Sequence, residues 1–198
     1  MQVIRYFCTQ YMINAAIFAS GEGTNAENII RHFTNVPRIK IKLVITNRDD
    51  AGLVARAEKH KKNVQIIGKE ALNNYSDKIV EFLKTEKIDL IILAGFLLKI
   101  PEAFIKAFPD KIVNIHPALL PKYGGKGMYG MNVHKAVIDN KEAESGISIH
   151  FVNEEYDKGK IILQQKCKVD ANDTPESLAQ KVRALEHEYF PKAIEKLL

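Results

Sequence analysis

The chain alternates short apolar runs with amphipathic segments. "INAAIFAS" (13–20) is an apolar run that ends in "GEGTN" and leads into the helical pattern "AENIIRHF". "IKIKLVITN" (39–47) is short and rich in Ile and Val, which predicts a strand. "AGLVARAEKH" has helical spacing, and "NVQII" (63–67) is a second short strand. "SDKIVEFLKTEK" (76–87) predicts a helix capped by Ser76 or Asp77. "IDLIILAGF" (88–96) is apolar along its length, as a strand buried on both faces should be. "PEAFIKAF" puts a proline in the first turn of a helix, and "KIVNIH" predicts the next strand.

Strands alternating with helices imply right-handed crossovers and a mostly parallel sheet. The pattern changes after residue 132. "NVHKAVIDN" predicts a short helix. "SGISIHFVN" (145–153) alternates, with Ile147, Ile149 and Phe151 on one face and Ser148 and His150 on the other. "KIILQQKCKV" (160–169) follows and pairs with it as an antiparallel edge. The expected fold is α/β: a Rossmann-like, mostly parallel seven-stranded sheet with helices on both faces and that edge. The C-terminal segment predicts a long helix with Thr174 as cap, Pro175 in the first turn and Leu178, Val182, Leu185 and Tyr189 as its apolar stripe. Pro191 should kink or interrupt it.

Composition narrows the class. A length of 198 residues with 46% apolar content fits one domain with a sizeable core. No apolar run reaches the ~18–20 residues that cross a bilayer, and the start lacks the parts of a signal peptide. Cys8 and Cys167 stand alone, which suits a reducing cytoplasm better than a disulfide scaffold. The net charge is +5, with pI near 9.0. That favours anionic partners, but the basic residues are scattered without an aromatic-basic pattern. A solvated surface therefore outweighs a nucleic-acid face, and an anionic small molecule needs only a few of these charges.

Ligands of open parallel sheets bind beyond the carboxyl ends of the strands. After the first strand, "SGEGTN" lets the backbone turn at Gly21 and Gly23 before a helix start, where N–H groups can hold an anion. The dinucleotide pattern and the P-loop are both absent. An anion site and a purely structural turn are equally good local readings. After the fifth strand, Asn114 and His116 lie two residues apart and so point to one side. Amide and imidazole N–H groups there could hold an oxyanion. A capped strand end with two satisfied polar side chains is the bland alternative, and Pro117 and Pro121, which lock the pair, narrow the gap between the two readings. After the sixth strand, Asp157 in "NEEYDKGK" could reach back to His116 and favour its protonated form. An ordinary acidic turn is the alternative, and His150 alone reads as a packed histidine. No residue pattern calls for a metal.

Taken together, "SGEGTN", "LAGFLLKIPEAFI", "VNIHPALLPKY" and "SIHFVNEEYDKGKIILQ" resemble the folate-dependent formyltransferases, from about Met12 to the C-terminus. "SGEGTN" is most similar to the branch whose acceptor is glycinamide ribonucleotide. The resemblance implies transfer of a formyl group from 10-formyltetrahydrofolate to that acceptor's amine in purine biosynthesis. It implies an oxyanion held by Asn114 and His116, with Asp157 keeping His116 cationic and helping the proton across, and His150 in support. Gly23, Thr24 and Asn25 would hold the phosphate through backbone groups. Glu186 would contact the ribose, and Arg183 would assist with the anion. Backbone from Leu97, Leu98, Lys99 and Ile100 would flank the pterin. The family often carries Arg where this chain has Leu98, which removes one contact to the folate tail. The loop 124–132 is long, and its glycines predict a lid-like or ordering role in which Lys126 could meet an anion, with simple structural variation as the alternative.

The resemblance further implies a single domain, 12–198, preceded by an extension, 1–11. It implies a monomer or homodimer in the cytoplasm with small-molecule substrates and neither nucleic acid nor membrane. A formyltetrahydrofolate deformylase, with water as acceptor, and a non-catalytic nucleotide-binding module remain the competing readings.

Overall fold

A computed structural model describes residues 12–198. The expected extension, 1–11, lies outside the described residues. Seven strands form one sheet: β1 (Ile13–Phe18), β2 (Ile39–Thr46), β3 (Asn63–Ile66), β4 (Leu90–Leu93), β5 (Ile112–His116), β6 (Glu144–Phe151) and β7 (Ile161–Lys168). Their order is β3-β2-β1-β4-β5-β6-β7. The β1–β5 strands run parallel, while β6 and β7 are antiparallel to their neighbours. This is the expected architecture. The order reverses beside β1, so the carboxyl ends of β1 and β4 open a crevice there.

The central strands are apolar because both of their faces are covered. In β1, Ala15 and Ile17 join one core while Ala16 and Phe18 join the other. In β4, Leu90 and Ile92 divide from Ile91 and Leu93 in the same way. The first core is closed by α1 (Thr24–His32), α2 (Gly52–Lys59), α6 (Met131–Asp139) and α7 (Pro175–Glu195). The second is closed by α3 (Lys69–Asn74), α4 (Ser76–Thr85) and α5 (Glu102–Ala107). Phe18 anchors the second core with edge-to-face contacts to Phe96 and Phe104 at ring separations of 5.4 and 6.2 Å. Burying each such side chain contributes roughly 1.5–3 kcal/mol.

Two local expectations change. Helix α4 starts at Ser76, but neither Ser76 nor Asp77 caps it; Tyr75 is the boundary residue, because α3 ends immediately before it. Helix α7 has the expected Thr174 cap, reinforced by a reciprocal bond with Ser177. It runs unbroken through Pro191, however. A proline there leaves the carbonyl four residues earlier, that of His187, without its helical donor. The Asn28 side-chain amide of α1 donates to that carbonyl at 2.7 Å. Pro191 itself is buried. The helix thus continues because a neighbouring helix supplies the missing hydrogen bond.

Candidate active site

A cavity of about 500 Å³ opens beyond the carboxyl ends of β4 and β5, between α7 and the loop 124–130. Its size suits a drug-sized ligand. Asn114, His116, His150 and Asp157 line one wall; Asn25, Arg183 and Glu186 line another; residues 95–100 form a third side.

Antiparallel register sets Asn114 of β5 directly opposite His150 of β6. The Asn114 Nδ2 and His150 Nε2 atoms are 3.1 Å apart. His150 Nδ1 sits 2.8 Å from the Phe151 carbonyl, which can only accept, so Nδ1 carries a proton. In neutral His150 the Nε2 atom then accepts from the Asn114 amide. One N–H of Asn114 is spent on this bond, and the second is left for the cavity. His116 is buried, and its Nε2–H donates to the Tyr123 carbonyl at 2.7 Å. Only Nδ1 of His116 is left for chemistry, and it lies 3.7 Å from Asp157 Oδ2.

Asp157 reaches this wall through a sharp hairpin between β6 and β7. Its φ is +55°, in the left-handed region that Asp tolerates better than most residues. Gly159 lets the chain fold back, since a Cβ there would overlap the Phe151 carbonyl. Asp157 Oδ2 accepts the Gly125 N–H at 2.8 Å, tying the hairpin to the glycine-rich loop. Oδ1 is 3.6 Å from His150 Nε2. At 3.6 and 3.7 Å the two imidazole contacts are electrostatic neighbours, not hydrogen bonds. Burial pushes the Asp157 carboxyl up, but the His150 ring, the Gly125 N–H and His116 together hold it below the ordinary carboxylate range.

One expectation is corrected here. Asp157 does not keep His116 cationic in this structure. Burial pushes the His116 imidazole below its usual value, and Asp157 and the Tyr123 carbonyl offset that only in part. Burial thus favours the neutral ring of His116, in which the Nδ1 lone pair faces the carboxylate and can take a proton.

The opposite wall begins where β1 gives way to α1. Gly23 precedes the helix at φ +72°, and a Cβ on it would press into Leu53 at 2.7 Å, so this position requires glycine. The first amides of a helix have no partner within it, and here the earliest helical bond is Glu27 N–H to Gly23 O. Of the three residues expected at the phosphate, Asn25 lines the cavity, while Gly23 and Thr24 are outside the residues that line it. The Asn25 amide donates to Glu186 Oε2 at 2.8 Å, and its Oδ1 is buried without a partner among the described residues. Glu186 is half-buried as a residue, but protein surrounds its carboxyl. That burial raises its pKa against the opposing pull of Asn25 and Arg183.

Leu97, Leu98, Lys99 and Ile100 all line the third side, and Lys126, on the glycine loop, lines the same cavity. Two further contributors were not singled out in the sequence. Ser148 is buried; it donates to the Ala118 carbonyl and accepts from Leu120 N–H and Gln164. It thereby pins the segment after His116, which contains a cis peptide bond before Pro121. His134 of α6 lines the cavity, buried, with Nδ1 unpartnered among the described residues. Burial and the Arg183 and His116 charges lower its pKa. Ser148 shares a face with His150, which was a usable signal; His134 left none, since it sits inside an ordinary amphipathic pattern.

The family model for the formyl transferases matches residues 13–194. A chloroplastic phosphoribosylglycinamide formyltransferase of Arabidopsis thaliana is 41% identical over 185 residues, 90% of this chain and 63% of that protein. The chain thus spans less than two thirds of this plant relative. The phosphoribosylglycinamide formyltransferase of Haemophilus influenzae is 37% identical over 92% of this chain and 86% of its own length. The crystal structure of phosphoribosylglycinamide formyltransferase from Bacillus halodurans superimposes with a TM-score of 0.86 at 34% identity, covering 93% of this chain and 95% of that one.

Proposed function

Since the chain belongs to the formyl transferase family, we propose that it moves a formyl group from 10-formyltetrahydrofolate to the amine of glycinamide ribonucleotide, as its similarly named relatives imply. The reading rests above all on one observation. Asn114, His116 and Asp157 converge on a cavity whose other wall presents a helix start, Arg183 and the buried Glu186 carboxyl. The fit to these substrates is physical. Unpartnered Asn25 Oδ1 and His134 Nδ1 are polar atoms in want of a ligand, and Leu97, Ile100 and Val152 give a flat ring apolar neighbours.

The amine attacks the formyl carbon and the carbonyl oxygen gathers charge. The free N–H of Asn114 meets that oxygen, a donor held in place by His150 before the reaction begins. The amine sheds a proton as the bond forms. Asp157, ionised at neutral pH, and His116 Nδ1 beside it provide the place for that proton. Once protonated, His116 presents an N–H between Asp157 and the cavity, so it aids the oxyanion only as charge develops. The same proton then goes to N10 of the donor as the carbon–nitrogen bond breaks, giving the formamide and tetrahydrofolate.

On the other wall, the start of α1 and Arg183 receive the phosphate, and Glu186 faces the ribose hydroxyls. The cytoplasm is the proposed setting, supported by the two isolated cysteines. Among the described residues no helix is long and apolar enough to cross a membrane. Purified protein given both substrates should release tetrahydrofolate only when the ribonucleotide amine is present. Equal release without the acceptor would instead make it a deformylase, and no release at all would leave a binding module.

A further inference from the structure

The loop 20–25 that leads into α1 is held from two sides. Toward β4, Ser20 N–H donates to the Gly95 carbonyl at 3.1 Å, and Ser20 Oγ accepts the Leu97 N–H at 2.9 Å. Toward α2, Leu53 N–H donates to the Gly21 carbonyl at 3.2 Å, and Arg56 Nε donates to the Glu22 carbonyl at 2.7 Å. In a planar trans peptide the N–H points opposite to the C=O. Drawing both carbonyls toward α2 therefore turns the Glu22 and Gly23 amides away from it. The amides of Gly23, Thr24 and Asn25 have no backbone acceptor among the described residues. Successive free amides leading into a helix start make an anion-binding concavity.

Arg56 makes a second contact of a different kind. Its Nη1 donates to Glu27 Oε2 at 2.6 Å, while His60 Nε2 lies 3.2 Å from Glu27 Oε1 and Lys59 Nζ stands farther off at 4.0 Å. Glu27 belongs to the first turn of α1. The Arg56 hydrogen bond first, and then His60, hold its carboxyl below the ordinary carboxylate range. A bare carboxylate there would repel a second anion at the same helix start. Resting on the proposed phosphate site, we infer that Arg56 is the positioning residue for the phosphate of the ribonucleotide. Its Nε sets the direction of the loop amides, and its Nη1 covers the charge of Glu27. Arg56 is outside the residues that line the cavity, so it acts through the loop.

The test is the affinity ratio between glycinamide ribonucleotide and glycinamide riboside, which lacks the phosphate. Calorimetry on the full chain measures both ligands with wild type, R56Q and R56Q/E27Q. Wild type should prefer the ribonucleotide. R56Q should lose about tenfold in ribonucleotide affinity, while riboside affinity changes less than about twofold. Adding E27Q to R56Q should recover about threefold, because no uncovered carboxylate then remains; no recovery would overturn the charge cover. A ratio in R56Q within about twofold of wild type would overturn the positioning role, and so would equal loss of both ligands, which marks a merely structural residue. R56K keeps the charge but not the fork and should lose about threefold. It carries the test, by the same criterion, should R56Q not fold. Equal wild-type affinity for the two ligands sinks the phosphate reading itself, whereas a preference that survives intact in R56Q sinks only the role of Arg56.

Discussion

Asp157 and Glu186 face one cavity from opposite walls, and their carboxyls are driven in opposite directions. Burial disfavours the charged form of each. At Asp157 the Gly125 N–H and two imidazoles outweigh that effect, and the group stays ionised. At Glu186 a single amide from Asn25 and the Arg183 charge fall short, and its pKa rises. Two carboxyls whose surroundings push their pKa values apart have been given different tasks. In the proposed mechanism Asp157 is the ionised proton carrier beside the reacting atoms. In the same proposal Glu186, its pKa raised by burial, is the group that meets the sugar hydroxyls.

Substitution can break this division, and the largest effect belongs to the chemical wall. Asp157→Asn keeps an oxygen for Gly125 but loses the proton carrier; turnover should fall by roughly 10²–10⁴, with both KM values within a few-fold. Steady-state kinetics would remove Asp157 from the mechanism if the rate were unaffected. Asn114→Ala deletes the donor aimed at the oxyanion and should cost roughly 10²–10³ in kcat. A larger rise in KM than loss in kcat would place Asn114 in ground-state binding instead.

The binding wall should respond differently. Glu186→Ala should raise the KM for the ribonucleotide about tenfold, from loss of a buried polar partner, and the folate KM much less. The reverse pattern would overturn its assignment. Stability offers a second reading. A raised carboxyl pKa means the folded state holds that proton more tightly than the unfolded one. Stability is therefore lost as pH climbs from the ordinary 4.5 through the raised value. E186Q should match wild type in Tm near pH 4 and exceed it near pH 7. Asp157 contributes with the opposite sign, adding stability above its ordinary 3.8 that is lost as pH falls through its lowered value.

The smallest catalytic effect belongs to the helix that carries Glu186. Asn28→Ala leaves the His187 carbonyl without a donor and should cost about 1–2 kcal/mol in a denaturation experiment, with kcat unchanged. Unchanged stability would mean that water serves that carbonyl as well.

The sheet was legible because period-2 and helical patterns are local. So was the site's outline: Asn114 and His116 share a parity on one strand, and Ser148 and His150 share one on the next. What stayed hidden depends on partners distant in sequence. Asn28 reaches the His187 carbonyl that Pro191 leaves free across 159 residues, and Asn25 meets Glu186 across 161. The sequence-level rule for proline is correct for an isolated helix; tertiary contact overrides it. The lowered pKa of His116 was hidden for a related reason. A nearby carboxylate can be read from spacing, but burial, which wins here, belongs to the folded whole.

The opposed carboxyls are the core of this account, and they can be observed directly. Carboxyl-¹³C NMR titration, assigned with D157N and E186Q, should show Asp157 titrating below its ordinary 3.8 and Glu186 above its ordinary 4.5. Asp157 titrating above Glu186 would contradict the division of labour on which the mechanism stands.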